Sequence, residues 1–527
     1  MANFVRSNLI VASGTACSRV TGLLRVIVLA YVVGQNALSD AYKLANETPN
    51  IVYDLIIGGV LSATLVPVFT SLIVQERRSD DDERGFHAVV SAALLASTVL
   101  AVLAVVLAPL IFRLYSLTTA DSVDADTFRS VGTMLTRLFV IQVLFYGITG
   151  VMTAILHSFR RFLAAAWAPV ASNLIIIATL LTLPGAGSTT WRLSDVTTNT
   201  RFFLTLGLGA TGGIALMALI TTVAVIRTKV GLKWHVDLRH PAVVRVARMS
   251  GWTLGFVVAN QVALVVIRNL ADPGSSLASA YFDAFIFFVL PHGLLAVSIA
   301  TTLQPELARA VTQQQGERFT RLLTGGIRAI VALTAPASAA LLVVGPLAIT
   351  SLMQRGQFDA ASAQNTSDAL SGLAIGLVGF STYLFVLRGF YAHGDTRTPF
   401  FLNVGENGLN VVLAVILVGP FGVFGLGLSL GIAYLVAAAV SLIILRQRHA
   451  RTLHVIAVTR DVAVLSLSAG IGGCSTWLMM SALGASSWQG IKGILGAIAL
   501  SAVLFAVYIA CTKVFKVDWK SLKALAE

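Results

Sequence analysis

The chain has 527 residues, 56% of them hydrophobic and 12% charged, with a mean hydropathy of +0.84. A soluble domain carries about twice that charged fraction, so the composition excludes a soluble globular enzyme and describes a protein solvated largely by lipid. The formal charge of +13 would suit nucleic acid, but Lys and Arg gather in short loops on one side of the apolar runs, as the positive-inside rule requires. No nucleic-acid partner is expected.

The apolar runs are of helical length and rich in Leu, Ala, Val, Ile and Gly. Outer-membrane strands would be about ten residues long and would alternate. Fourteen spans are predicted, over 9–33, 50–74, 88–112, 131–154, 165–185, 203–226, 249–267, 279–304, 327–351, 368–390, 399–418, 421–445, 461–481 and 490–512. The first run is too long and too charged for a cleaved signal peptide. Cys17, Cys474 and Cys511 are scattered, which argues against a disulfide framework or a metal cluster.

The loops set the orientation. Basic residues follow span 2 (Arg77, Arg78, Arg84), span 4 (Arg160, Arg161), span 6 (Arg227 to Arg248), span 8 (Arg309, Arg318, Arg321, Arg328) and span 12 (Arg446, Arg448, Arg451, Arg460). Lys513, Lys516, Lys520 and Lys523 close the chain. With fourteen spans, all fall on one side, so both termini are expected in the cytoplasm. The expected domains are an N-lobe (1–228, spans 1–6), a basic linker (229–248), a C-lobe (249–445, spans 7–12), spans 13–14 (446–512) and a basic tail (513–527). Trp234 suits the linker to the membrane interface, as a solvated loop or in contact with anionic lipid.

Span 1 carries Arg19 and Arg25 where a charge is costly unless it faces protein or water. Six residues apart, they differ by roughly 120° around a helix. Both can line a broad cavity, and two guanidiniums suit phosphate oxygens. The alternative is internal pairing with Asp40 or Glu47. Asp40 and Lys43 follow a turn-like stretch where Ser39 or Asp40 can cap the next helix. Glu47 and Asp54 flank Pro49 and are expected to face a water-filled vestibule.

In the second block the candidate polar residues are Asn260, Gln261, Arg268 and Asp283. Arg268 is expected to snorkel at the outer membrane edge. Span 11 carries Asn403, Glu406, Asn407 and Asn410, and the steps 403, 407, 410 put three amides on one face. A carboxylate there can bind a cation, carry a proton or belong to a packed polar seam. Spans 1–2 and 7–8 resemble each other: Thr48-Pro49-Asn50 and Val66-Pro67 in the first pair, Leu290-Pro291-His292-Gly293 and Gln304-Pro305 in the second. Repeated bundles around a central site are a common transporter design. No Walker sequence or dinucleotide fingerprint occurs, which argues against ATP-driven pumping by this chain alone.

Ser18-Arg19-Val20-Thr21-Gly22-Leu23-Leu24-Arg25, Ser39-Asp40-Ala41-Tyr42, Pro49-Asn50 and Leu61-Ser62 ahead of Val66-Pro67 resemble the start of the MurJ/MviN family, within the multidrug/oligosaccharidyl-lipid/polysaccharide exporter superfamily. Arg161-Phe162, Ala168-Pro169, Asn173, Tyr281 through Pro291, Arg355-Gly356-Gln357-Phe358 and Phe390-Tyr391-Ala392 with Asp395 extend the resemblance over essentially the whole chain. It implies an all-α polytopic membrane protein of fourteen transmembrane helices, with two six-helix lobes in a V and two C-terminal helices whose groove holds a lipid tail. It implies a flippase, not an enzyme. The flippase would move undecaprenyl-pyrophosphate-linked disaccharide-pentapeptide (lipid II) across the bacterial cytoplasmic membrane.

Arg19, Arg25 and Asp40 match functional positions of the family. Glu47, Asp54, Asn260 and Asp283 complete the expected substrate set; Asn403, Glu406, Asn407 and Asn410 are candidates for ion coupling. Two departures stand out. Tyr53 and Gly58 occupy positions where the family often has arginine and glutamate, and Phe285-Ile286-Phe287-Phe288 lacks the span 8 arginine. No cofactor is expected, and coupling to Na+, H+ or membrane potential is open. A monomer is expected, with membrane lipids and cell-wall synthesis proteins as neighbours. The competing readings are a flippase for another undecaprenyl-linked glycan, a multidrug–cation antiporter and a non-transporting scaffold for cell-wall enzymes.

Overall fold

The computed structural model describes residues 2–54, 65–73, 80–450 and 452–517. The helices, in chain order, are α1 (Ala2–Val33), α2 (Ala37–Asp54), α3 (Val66–Ile73), α4 (Asp80–Leu114), α5 (Ala125–Phe139), α6 (Gln142–Ser158), α7 (Leu163–Leu181), α8 (Leu193–Thr198), α9 (Thr200–Ile226) and α10 (Pro241–Leu270). They continue with α11 (Leu277–Pro291), α12 (Val297–Thr312), α13 (Gly316–Val343), α14 (Gly345–Met353), α15 (Ala360–Ile375), α16 (Leu377–Ala392), α17 (Arg397–Arg448), α18 (Val455–Ala482) and α19 (Gly490–Val514). No strand occurs among the described residues. Ten helical stretches there are long and apolar enough to cross a membrane, or eleven when α15 and α16, bent by 49°, form one span.

Capping residues fix several helix starts. The Asp124 carboxylate accepts the Thr127 N–H at 2.8 Å, Asn199 Oδ1 accepts Phe202 N–H at 3.0 Å, and Asp359 accepts Ser362 N–H at 2.8 Å. A π-helical turn, His292–Ala296, joins α11 to α12 just after Pro291. His292 is buried there, with Nδ1 3.0 Å from Ser381 Oγ.

The chain divides into two compact units: Met1–Val258 with Asp272–Ser276, and Ala259–Ala271 with Leu277–Glu527. In the first, α7 packs against α1 and α9, and α2 against α5. Phe69, Phe86, Val89, Ile155 and Val225 belong to one core cluster of this unit. In the second, α17 packs on α15 and α16, and α18 on α13 and α19. Leu307, Ile327, Val386, Phe390 and Leu445 lie in its core.

Two backbone features shape the second unit. Gly422, at φ 54° and ψ −136°, breaks α17 into 397–421 and 423–448. That region of backbone space is essentially restricted to glycine. The halves run antiparallel, because Arg448 bonds Thr398 at 2.7 Å and Ser429 bonds Asn410 at 3.0 Å. The second half then meets the α15–α16 region at main-chain distance. A Cβ on Gly376 would lie 2.2 Å from Gly431 Cα. Such small-residue contact is how helices approach closely in lipid, where no hydrophobic drive exists between them.

Candidate functional site

In the first unit α1 is fixed to α7 along one face. Asn173 Nδ2 donates to Thr21 Oγ1 at 3.1 Å and to Ser18 O at 3.3 Å. Gly14 sits against Ala166, where a Cβ would come within 2.9 Å. By helical spacing Arg25 falls on this side, and Arg19 about 120° away. The burial agrees, since Arg25 is half-buried and Arg19 exposed. Neither guanidinium makes an ion pair or a hydrogen bond among the described residues.

Asp40 has a different task. The α2 start is capped by Asn36: Asn36 Oδ1 accepts Ser39 N–H at 3.0 Å, and Ser39 Oγ accepts Asn36 N–H at 3.0 Å. Asp40, expected to share in that capping, is fully buried instead, and its Oδ2 accepts Gly274 N–H at 2.9 Å and Ser276 N–H at 3.0 Å. The segment 272–276 is strained, with φ of 52° at Asp272, 98° at Gly274 and 78° at Ser276. Gly274 is also packed too closely for a side chain, since a Cβ would meet Val123 at 2.6 Å. Burial, followed by the nearby Asp121 charge, raises the Asp272 carboxyl above its ordinary value. Lys43 and Glu47 are half-buried on α2, and Asn50 Oδ1 accepts the Tyr146 hydroxyl at 3.0 Å. The Asp54 and Tyr53 side chains, and Gly58, lie outside the described residues.

In the second unit, Asn260 Oδ1 accepts from Asn403 Nδ2 at 3.0 Å and from Asn407 Nδ2 at 2.8 Å. Asn410 does not join them; its Oδ1 accepts from Ser429 Oγ across the α17 hairpin. The shared face of three amides thus splits between two neighbours. Glu406 is 4% exposed, and its Oε1 has no hydrogen-bond partner among the described residues. The Tyr281, Tyr383 and Tyr434 phenols lie within electrostatic reach of it. A buried carboxylate oxygen without a partner is costly in an apolar setting. Asp283 is buried on α11. Among the described residues no group of three or more His, Cys, Asp or Glu is placed to hold a metal ion.

Arg268 corrects the snorkelling expectation. It is 5% exposed, and its guanidinium carbon lies 3.3 Å from the centre of the Phe282 ring. Sequence reasoning missed Arg388, a half-buried residue of α16 whose Nη1 donates to Gln304 Oε1 of α12. The signal was present: like Arg19, Arg388 is a charge inside an apolar run. Asp395, part of the family resemblance, belongs to a polar cluster beside α17. There Thr398 Oγ1 donates to Asp395 at 2.6 Å and accepts from Arg448, and the His393 and His449 rings stack at 4.4 Å.

Comparison with known proteins matches this chain, over residues 29–489, to the family described as lipid II flippase MurJ. The lipid II flippase MurJ of Burkholderia cenocepacia is 28% identical over 85% of this chain and 84% of its own length. A probable lipid II flippase MurJ of Rhizobium meliloti is 29% identical over 77% and 74%. Among solved structures, a lipid II flippase MurJ in an inward closed conformation has a TM-score of 0.77 at 20% identity, covering 98% of this chain and 99% of that one. An inward-facing multidrug resistance MATE family transporter has a TM-score of 0.62 at 16% identity, over 81% and 94%. The structural likenesses show a shared fold, and the match over 29–489 shows more: the chain belongs to the lipid II flippase MurJ family.

Proposed function

We propose that this chain flips lipid II from the inner to the outer leaflet of the bacterial cytoplasmic membrane by alternating access. The observation that carries the reading is the family match, which extends through both units. The protein is a multi-pass protein of the bacterial inner membrane and a transporter rather than an enzyme. The proposed topology has fourteen spans, lobes over 1–228 and 249–445, the linker 229–248, the prenyl-tail groove within 446–512 and the tail 513–527. Both termini face the cytoplasm, and the protein acts as a monomer beside the cell-wall synthesis machinery.

In this mechanism Arg19 and Arg25 neutralise the diphosphate of the entering headgroup, since guanidinium forks match phosphate oxygens. Neither guanidinium has an ion-pair partner among the described residues, which leaves both to meet a bound anion. Arg388, already bonded to Gln304, supplies positive charge in the second lobe, where the span 8 arginine is missing. Release of Gly274 and Ser276 from Asp40 accompanies opening on that side. Glu406, beside the Asn260–Asn403–Asn407 amides, takes up and releases the coupling proton or Na+. Depletion in the native host tests the function. Lipid II should accumulate in the inner leaflet, shielded from an externally added lipid II-cleaving enzyme. Full exposure of lipid II after depletion would reject the reading.

A further inference from the structure

The two halves of α17 enclose a cavity of about 630 Å³, of whose lining the flippase reading uses only Glu406. One wall is the stripe Arg397, Phe401, Gly405 and Leu409, four residues apart along the first half; Val436 and Val440 stand on the other. Phe401, Val436 and Val440 are 55%, 43% and 39% exposed, so the cavity is a groove open along one side. A Cβ on Gly405 would meet no atom within 4 Å, so the missing side chain is part of the hollow.

Both arginines sit at the end where the hairpin begins and finishes. The Arg397 guanidinium carbon lies 5.7 Å from the centre of the Phe401 ring. Arg448 spends Nη1 on Thr398, lies 3.8 Å from Asp395 and keeps its side chain 59% exposed. From Arg397 to Leu409 the stripe runs roughly 18 Å along the helix. Half the hydrocarbon core of a bilayer is about 15 Å deep. Glu406 borders the groove roughly 14 Å along the helix from Arg397, away from the mouth.

We propose that this groove holds an anionic glycerophospholipid, with its phosphate between Arg397 and Arg448 and one acyl chain along the Phe401–Gly405–Leu409 stripe. Charge complementarity selects the headgroup, and the leaflet-deep apolar channel selects a lipid over a soluble anion. The inference needs only the hairpin of the second unit and does not depend on what the protein transports.

The test uses the full chain, purified in detergent, stripped of lipid and titrated with phosphatidylglycerol or phosphatidylcholine while bound lipid is counted by native mass spectrometry. The wild type should bind phosphatidylglycerol roughly 30-fold more tightly than phosphatidylcholine, at about fivefold per arginine. Arg397→Gln, a substitution at an exposed residue, should cut that preference about fivefold. Gly405→Leu should fill the hollow and lower the occupancy of both lipids. Equal binding of the two lipids by the wild type would overturn the proposal. So would an unchanged preference in Arg397→Gln, or undiminished lipid occupancy in a folded Gly405→Leu.

Discussion

Asp40→Ala should release the segment 272–276. The buried carboxylate accepts two backbone N–H groups, at 2.9 and 3.0 Å. Hydrogen bonds to a charged acceptor contribute roughly 1.5–3 kcal/mol each, so their loss removes about 3–6 kcal/mol of local stability. The segment works against its hold, because Asp272 and Ser276 occupy left-handed backbone at about 1–2 kcal/mol each. Even the lower bound raises the open population by roughly 100-fold. Hydrogen exchange of the purified protein reads this directly. The amides of Gly274 and Ser276 should exchange about 100-fold faster in Asp40→Ala, while the amides of α13 and α18 keep their wild-type rates. Asp40→Asn keeps one acceptor oxygen and should fall between the two. Unchanged exchange at Gly274 and Ser276 would mean that Asp40 does not hold the segment.

Other sites give sharp expectations. Gly376→Val places a side chain against the Gly431 main chain, which cannot rotate away; it should cost about 3 kcal/mol or more and lower the melting temperature in detergent. The Asp395–His393 cluster should loosen in acid. Burial holds the His393 imidazole below its ordinary value. Burial raises the Asp395 carboxyl, but bonds from Thr398 and His449 outweigh it and hold the group low. For both groups the unfolded state binds protons first, so stability falls as pH drops below about 6.5 and again through the carboxylate range; hydrogen exchange at 393–398 against pH measures it. Asp272 has the opposite sign. Its raised value means the folded state binds the proton first, so acidification through that value should slow exchange at 272–276. Glu406→Gln should leave thermal stability unchanged or raised and remove the dependence of flipping on a pH or Na+ gradient, measured in vesicles with either gradient imposed.

The apolar runs were legible because lipid imposes one rule: every backbone group is satisfied within its own segment. The break between 418 and 421 was visible in Gly419-Pro420-Phe421-Gly422, and Gly422 is where the backbone turns. Local polarity was harder to read. Asp40 looked like a helix cap because capping is a short-range property; its partners are 234 and 236 residues away, and no spacing rule reaches them. Arg268 looked like a snorkelling residue because Phe282 covers it only after folding. Asn410 shares a helical face with Asn403 and Asn407, but periodicity does not say which neighbour each amide meets. Arg388 carries the same signal as Arg19, a charge in an apolar run, here among Tyr383, Phe385, Phe390 and Tyr391. The repeat between spans 1–2 and 7–8 falls partly on residues 55–64, outside the described residues.

In the proposed mechanism α1 neutralises the diphosphate of the moving lipid through Arg19 and Arg25. The direct measurement is flipping of labelled lipid II in vesicles reconstituted with wild type, Arg19→Ala or Arg25→Ala, each first shown to fold by its melting temperature. The wild type should flip fast, and either variant should fall to the protein-free rate. Wild-type rates in both folded variants would contradict the mechanism.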